Sequence, residues 1–199
     1  MRIGVPHSSF MDAFFHPLLG RTAGVSRIEN ANFVTRLAQP TFVSRADKKS
    51  KTSVVDEIKR KVADKNWPPT LIFVEGTCTN RRAYTFFKPG AFYPGVPVQP
   101  FIIRFPDCEE GMDYASWTWM GPGAMKLIFL MLTRFHNRAE IEVLPPYVPS
   151  DEEIKDPFLY ARNVRDYVAK VDNKPTTDHS FEDCRLMKVR DFSDSDSHQ

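Results

Sequence analysis

A histidine and an aspartate near the start of the chain have the types and spacing of a general-base pair. His7 is followed five residues later by Asp12 in the segment HSSFMD. A histidine that takes a proton from a hydroxyl needs a partner that holds its tautomer and stabilises the imidazolium, and a carboxylate does both. The offset suits a histidine in a turn and an aspartate in the first turns of a helix capped by Ser8 or Ser9. Such a pair also arises by chance, as a helix-start charge beside an ordinary loop histidine.

The segment GVSRIEN contains the first candidate for anion binding. Arg27 offers a planar fork of donors that matches the oxygens of a phosphate. Read in isolation, Arg27 and Glu29 also suit a surface ion pair. Two basic runs, RADKKSK at 45–51 and KRKVADK at 59–65, are typical of a solvated face, with an anionic membrane surface or a phosphate-bearing ligand as the alternative.

A second polar segment, EGTCTNR, follows an apolar strand pattern. It places a carboxylate (Glu75), a flexible glycine (Gly76) and hydroxyl donors beginning with Thr77 at the end of that strand. The glycine permits close approach of the backbone to a ligand. Arg81 and Lys88 add positive charge nearby. The alternative is an ordinary polar turn capped by a threonine.

The segment PGVPVQP, centred on Pro97, precedes a further apolar strand pattern. Its prolines restrict the path of the chain. The segment therefore suits the wall of a groove for a hydrocarbon chain, or a rigid turn that enters a core strand.

Strand and helix patterns alternate along the chain. Strands are predicted at 1–6, 22–25, 41–44, 71–74, 98–105, 114–119 and 139–144. Helices are predicted from Ser8 or Ser9, over 30–37, over 51–62 with Thr52 or Ser53 as its cap, over 124–135, and from a Ser150–Glu153 capping box to near Lys170. This alternation predicts an α/β fold with a mixed, mostly parallel central sheet flanked by helices. Because His7 and Glu75 each follow a strand, parallel strands would bring both to the same edge of the sheet, where ligands bind.

Composition excludes several classes of protein. The net charge of +2 across 199 residues is too small to favour nucleic acid as a partner. The three cysteines form no C-x-x-C pair, which argues against a disulfide scaffold or a zinc site and favours a reducing compartment. No run of 18 apolar residues occurs, so LIFLML at 127–132 predicts a buried helix, with insertion into a membrane interface as the alternative.

The order of the motifs carries more information than any one of them. H-x-x-x-x-D, G-x-x-x-R, E-G-T and V-P-V-x-P follow one another as in the glycerophospholipid acyltransferase family, which the chain resembles from about Val5 to Met187. The wording EGTCTNR, FKPGAF, PGVPVQP, HSFEDCRLM, VSRIEN and SWTWMG is similar to the lysophosphatidylcholine acyltransferase branch. One departure is Val74, where the family usually has proline before E-G-T.

The resemblance implies an acyl-CoA-dependent transfer of a fatty acyl group to the free hydroxyl of a lysophospholipid. His7 would be the general base and Asp12 its orienting partner, with acyl-CoA as co-substrate, no bound cofactor and no metal. Glu75 carries the wrong charge to touch phosphate, so we expect it to hold a basic side chain or a backbone turn. The residues implied in substrate binding are Arg27, Glu75, Gly76, Thr77, Arg81 and Lys88, with Pro97 on the acyl side.

The expected organisation is a catalytic core over 1–187, without the membrane anchor that normally precedes it in the family, and a disordered tail over 188–199. The substrates and the family imply a membrane surface as partner and the endoplasmic reticulum as location. A different class of function is a truncated, non-catalytic module that binds lipid or acyl-CoA. A hydrolase built on Cys78 or a serine is a third hypothesis, although no G-x-S-x-G occurs.

Overall fold

The computed structural model describes residues 1–9, 11–12, 23–27, 41–43, 48–64, 66–109, 112–118, 121–183 and 186. The strands are β1 (Arg2–Val5), β2 (Ala23–Arg27), β3 (Thr41–Val43), β4 (Thr70–Phe73), β5 (Gln99–Arg104) and β6 (Glu140–Val143). The helices are α1 (Lys48–Ala63), α2 (Pro106–Glu109), α3 (Ala124–Leu132), α4 (Asp151–Lys155) and α5 (Pro157–Asp172), with a 3-10 turn at Pro89–Ala91.

The strands form one six-stranded sheet in the order β3-β2-β4-β1-β5-β6. All neighbouring pairs are parallel except β5 with β6, which are antiparallel. The predicted α/β fold with a mixed, mostly parallel sheet is therefore confirmed. Because β1 and β4 are parallel neighbours, the segments that follow them leave the sheet at the same edge.

Apolar side chains pack on both faces of this sheet. Successive residues of a strand point to opposite faces, and Ile102 of β5 belongs to a different cluster from Phe101 and Ile103. One cluster joins β1 and β5 to α5 through residues such as Tyr160, and the other joins β4 and β5 to Tyr114. The sheet is thus a buried layer that holds its carboxyl edge rigidly.

Gly4 in the centre of β1 allows two aromatic rings to approach the strand closely. It is in register with Phe73 of β4 and Phe101 of β5. A Cβ atom at Gly4 would lie 2.6 Å from an atom of each ring, closer than van der Waals contact allows. The glycine therefore determines where the Phe73 ring lies.

Most of the predicted strands and helices match the structure within a few residues. The strands expected at 1–6, 22–25, 41–44, 71–74, 98–105 and 139–144 correspond to β1 to β6, and the capping box of Ser150 and Glu153 opens α4. The helix predicted over 124–135 ends earlier, at Leu132. The predicted helix over 30–37, most of the helix after Ser9 and the tail over 188–199 lie outside the described residues.

Four predictions of local structure were wrong. The helix containing LIFLML was expected to be buried, but Phe129 and Leu132 of α3 are exposed. α1 begins at Lys48, so neither Thr52 nor Ser53 stands at its start. The helix predicted after Ser150 is divided into α4 and α5, because Pro157 starts a new helix capped by Asp156. Residues 112–118 form no strand. Among the described residues, no helix is both long and apolar enough to cross a bilayer.

Candidate active site

The turn after β1 brings His7 and Asp12 together. Asp12 Oδ2 lies 3.0 Å from His7 Nδ1 and accepts hydrogen bonds from the backbone N–H groups of Ser8 at 2.7 Å and Ser9 at 2.9 Å. The five-residue offset works because the chain reverses at the two serines and returns the carboxylate to the ring. One oxygen of Asp12 thus holds both the turn and the imidazole.

The His7 ring is supported on one side and open on part of its surface. It stacks on Phe73 of β4 with ring centroids 4.4 Å apart. The His7 side chain is 24% exposed, whereas the Asp12 side chain is fully buried. A fixed ring with an accessible part is the arrangement that a general base requires.

The surroundings of His7 favour its charged form. Burial alone would lower the pKa of His7, but the hydrogen bonds with Asp12 and Cys78, together with their charge interactions, raise the pKa of His7 to about 10. These contacts therefore favour the imidazolium form in the substrate-free protein. A proton must leave before this ring can act as a base.

Glu75 ties the His7 turn to a second part of the chain. Its Oε2 accepts a hydrogen bond from the His7 backbone N–H at 2.7 Å, and its Oε1 accepts from the N–H and hydroxyl of Thr85 at 3.2 and 2.9 Å. Burial raises the pKa of Glu75 to about 7, while the donors and the His7 charge oppose that rise. Glu75 was expected to hold either a basic side chain or a backbone turn, and in the structure it holds the backbone turn.

Gly76 and Lys88 lie side by side at this edge. Gly76 has a φ of +66°, and a Cβ there would lie 3.0 Å from the Lys88 side chain. The Lys88 Nζ pairs with Glu182 at 3.2 Å and lies 5.7 Å from the centroid of the Phe181 ring. The structure therefore brings Lys88 to the E-G-T turn, and contact between Lys88 and a substrate stays a prediction. Thr77 is buried in the same turn.

Arg81 is a buried residue that contacts the His7 turn. Its guanidinium pairs with Asp113 at 3.0 Å, donates to Ser8 Oγ at 3.4 Å and stacks over Phe105 at 5.2 Å. The residue is 4% exposed and has a φ of +64°. The tie to Ser8 is a structural feature, whereas contact between Arg81 and a substrate stays a prediction.

The segment 112–118 also contacts the turn, and the sequence did not suggest this. The Trp117 N–H donates to the Ser8 carbonyl at 2.8 Å, and the Thr79 N–H donates to the His7 carbonyl at 2.7 Å. Asp113 Oδ1 also accepts from the backbone N–H groups of residues 115 and 116. An aspartate followed by a serine three residues later is a turn signal that could have replaced the strand prediction.

For two predicted substrate-binding residues, the described part of the chain shows no contact with this arrangement. Arg27 ends β2, which runs parallel to β4 and leaves the sheet at the same edge, but its side chain is outside the described residues. Pro97 lies at the opposite edge, where its carbonyl accepts from the Met1 amino group at 3.2 Å. Six residues of extended chain separate that edge from His7 by about 20 Å. The acyl-side role of Pro97 stays a prediction.

The Acyltransferase family model matches residues 6–104, which contain His7, Asp12, Arg27, the E-G-T turn and Pro97. The chain belongs to the acyltransferase family. The resemblance found in the order of the motifs is thereby confirmed. Asp113 and Trp117 lie beyond the part that this family model matches.

Several curated relatives of this chain are named lysophosphatidylcholine acyltransferases. Lysophosphatidylcholine acyltransferase 1 of Danio rerio is 48% identical over 192 residues, 93% of this chain and 36% of the relative. Lysophosphatidylcholine acyltransferase of Drosophila melanogaster is 45% identical over 194 residues, 94% and 36% of the two chains. Lysophosphatidylcholine acyltransferase 1 of Homo sapiens is 45% identical over 188 residues, which are 91% of this chain and 34% of the relative.

The chain spans about a third of the length of these relatives. No solved structure matches it significantly. In the described part of the chain, no group of three or more histidine, cysteine, aspartate or glutamate residues is arranged to hold a metal ion. Cys78 and Cys108 are free thiols, and Cys184 lies outside the described residues.

Proposed function

We propose that this domain transfers a fatty acyl group from acyl-CoA to the free hydroxyl of a lysophospholipid, either lysophosphatidylcholine or a close relative. The observation that carries the proposal is the 3.0 Å contact between His7 Nδ1 and Asp12 Oδ2 at the carboxyl edge of a mostly parallel sheet. The names of the relatives support the class of acceptor.

The proposed reaction uses the two ring nitrogens of His7 for different tasks. Asp12 holds Nδ1, so Nε2 takes the proton of the acceptor hydroxyl. The hydroxyl oxygen forms a bond to the thioester carbonyl carbon, and the carbonyl oxygen takes the electron pair. Collapse of this intermediate breaks the carbon–sulfur bond, and the imidazolium returns its proton to the sulfur of coenzyme A. The products are an acylated phospholipid and free coenzyme A.

The acceptor phosphate is proposed to bind beside the E-G-T turn. Lys88 supports this placement because its side chain packs against Gly76, and β2 ends in Arg27 at the same edge. The phosphate would compete with Glu182 for the Lys88 ammonium. Thr77 and Arg81 complete the proposed phosphate side, and Pro97 is assigned to the acyl side. Glu75 contributes by holding the turn.

The working location is proposed to be a membrane surface, in the endoplasmic reticulum. Lysophospholipids reside in bilayers, and acyl-CoA has a long apolar tail, so both substrates meet at a lipid–water interface. Acyl-CoA enters as a co-substrate, and the proposed steps use the imidazole and carboxylate of the protein itself.

Acyl transfer from labelled acyl-CoA to a panel of lysophospholipids tests the proposal. The parent, His7→Ala and Asp12→Asn are compared on lipid vesicles, with His179→Ala as the control because His179 is exposed. We expect labelled diacyl product from the parent and the control, and a loss of roughly 100-fold or more in both active-site variants. The head group of the best acceptor identifies the substrate.

Two results would contradict the proposal. One is a His7→Ala rate within a few-fold of the parent. The other is a folded parent that binds lysophospholipid or acyl-CoA without product, which would favour the non-catalytic binding module. Circular dichroism of every variant separates a loss of chemistry from a loss of folding.

A further inference from the structure

Large apolar side chains are exposed along one part of the surface, which we call the α3 face. On α3, Met125, Phe129 and Leu132 occupy positions i, i+4 and i+7, which share one side of a helix. Phe129 is 65% exposed and Leu132 is 79% exposed. The face is formed by Met125, Phe129 and Leu132, and Met112 and Trp117 before the helix and Phe135 after it are also exposed. An outward helix surface of this kind marks an interaction site.

The other side of α3 is anchored in the core. Leu127 is fully buried, and Leu130 and Met131 pack against the cluster that contains Phe101 and Tyr114. Phe73 packs against the same cluster and supports the His7 ring. The α3 face therefore lies on the sheet face that also supports the His7 ring.

The segment that contains α3 has basic residues and no acidic ones. The sequence from Tyr114 to Ala139 contains no aspartate or glutamate and three basic residues, Lys126, Arg134 and Arg138. Some of that charge is balanced from outside the segment, since Arg134 lies 3.8 Å from Asp107 and Arg138 pairs with Glu140. Apolar and aromatic side chains with a basic rim match the interface of a bilayer that contains anionic lipids.

The segment that precedes α3 contacts the candidate active site. Trp117 is partly exposed, and its backbone N–H donates to the Ser8 carbonyl at 2.8 Å. Indole rings favour the headgroup level of a membrane, where one end is apolar and the other is hydrated. Trp117 thus contacts Ser8, the residue that directly follows His7.

We propose that the α3 face docks this domain on the surface of a phospholipid bilayer and directs the His7 turn toward it. The choice of a bilayer rather than a second copy of the chain rests on the proposed function, because the acceptor is a membrane lipid, and on the basic rim. Phe129 and Leu132 enter the interface, and Lys126 contributes attraction to anionic headgroups. The face thereby supplies the membrane contact that the reaction needs.

Vesicle flotation without substrates tests the docking surface separately from turnover. The parent is compared with Phe129→Ser/Leu132→Ser on vesicles of phosphatidylcholine alone and with phosphatidylserine. The matched control is Val148→Ser/Phe158→Ser, since both residues are exposed and Phe158 belongs to α5, which packs on the opposite sheet face. We expect the α3 variant to partition about tenfold or more weakly, because two buried apolar contacts are lost. The control should bind as the parent does.

The result that overturns the inference is equal vesicle binding by the α3 variant and the parent. Light scattering supplies a second outcome: a parent dimer that the α3 variant loses, with vesicle binding unchanged, would assign the face to a second copy instead. Lys126→Gln should reduce only the additional binding produced by phosphatidylserine. His7→Ala should bind vesicles as the parent does, because it leaves the α3 face unchanged. A parent that binds vesicles but transfers no acyl group would count against the proposed reaction and not against the α3 face.

Discussion

The backbone N–H of His7 donates to the buried carboxylate of Glu75 at 2.7 Å, although 68 residues separate them in the chain. The other oxygen of that carboxylate holds Thr85. The turn that carries His7 and the E-G-T turn are therefore one assembly, joined through a group that need not touch the substrate.

Replacing Glu75 with glutamine should loosen this assembly. Both carboxylate oxygens accept from donors, so the amide NH₂ of a glutamine would face a donor in a buried site. We expect a loss of about 1–3 kcal/mol in the free energy of unfolding, together with a lower kcat. Glu152→Gln on exposed α4 is the matched control. Chemical denaturation measures the first quantity, and an unchanged midpoint for Glu75→Gln would contradict the assigned role.

The rate of acyl transfer should rise with pH. Only neutral His7 can accept a proton, and its pKa is raised from 6.5 to about 10, so kcat/KM should increase across that interval. Cys78→Ala removes one of the groups that raise the pKa of His7, and it should move the rise to lower pH. Cys108→Ala serves as the control thiol. The pH profiles of kcat/KM and an NMR titration of the imidazole are the measurements.

The same variants separate Cys78 from a nucleophilic role. Retained acyl transfer in Cys78→Ala excludes a hydrolase built on this thiol. A profile that reaches its plateau near pH 6.5 in the parent would mean that Asp12 and Cys78 do not raise the pKa of His7.

Stability should fall as pH rises, through two groups with raised pKa values. His7 stabilises the fold fully below its unfolded pKa of 6.5, and that contribution is lost as pH rises toward 10. The pKa of Glu75 is raised from 4.5 to about 7, so its contribution is present below 4.5 and is lost between those values. Between pH 4.5 and 7, the thermal stability of Glu75→Gln should therefore fall less than that of the parent. A parent stability that increased steadily from pH 4.5 to 10 would contradict both assignments.

The Arg81–Asp113 pair should act on the position of the His7 turn. Asp113→Asn removes the anionic partner of a buried guanidinium, and we expect a loss of about 1–3 kcal/mol, since Asp113 itself is partly exposed. kcat should fall because the His7 turn shifts, and KM for the lysophospholipid should rise because Arg81 is also assigned to the phosphate side, while KM for acyl-CoA changes little. The exposed pair of Glu57 and Arg60 gives the control, and Glu57→Gln should change stability by less than about 1 kcal/mol. An unchanged KM for the lysophospholipid would contradict the assignment of Arg81 to the phosphate side.

Adding one methyl group at Gly4 should disturb His7 from a distance. A Cβ there collides with the rings of Phe73 and Phe101, and Phe73 supports the imidazole. We expect Gly4→Ala to cost about 1–3 kcal/mol of stability and to lower kcat. Gly90→Ala is the control, because nothing lies within 4 Å of its added carbon. Activity and stability equal to those of the parent would show that β1 adjusts freely.

Some of the site could be found from short segments of sequence, and some could not. The His7–Asp12 pair was visible because its members are five residues apart and one turn joins them. The pairing of Arg81 with Asp113 was not, because the residues lie 32 positions apart and meet only when the sheet brings their loops together. Residues 114–119 were predicted to form a strand because the segment is apolar, whereas Asp113 holds the local backbone in a turn.

The sequence by itself determined the alternation of strands and helices, the membership of the family and the residues of the principal pair. Each depends on local periodicity, on turn chemistry or on the order of motifs. Only the tertiary structure decided that Glu75 holds the His7 turn, that Arg81 is buried, that Pro97 lies at the far edge and that α3 leaves one apolar side exposed. Those properties depend on which strands are neighbours and which faces are covered, and burial and long-range contacts have no local signature in the chain.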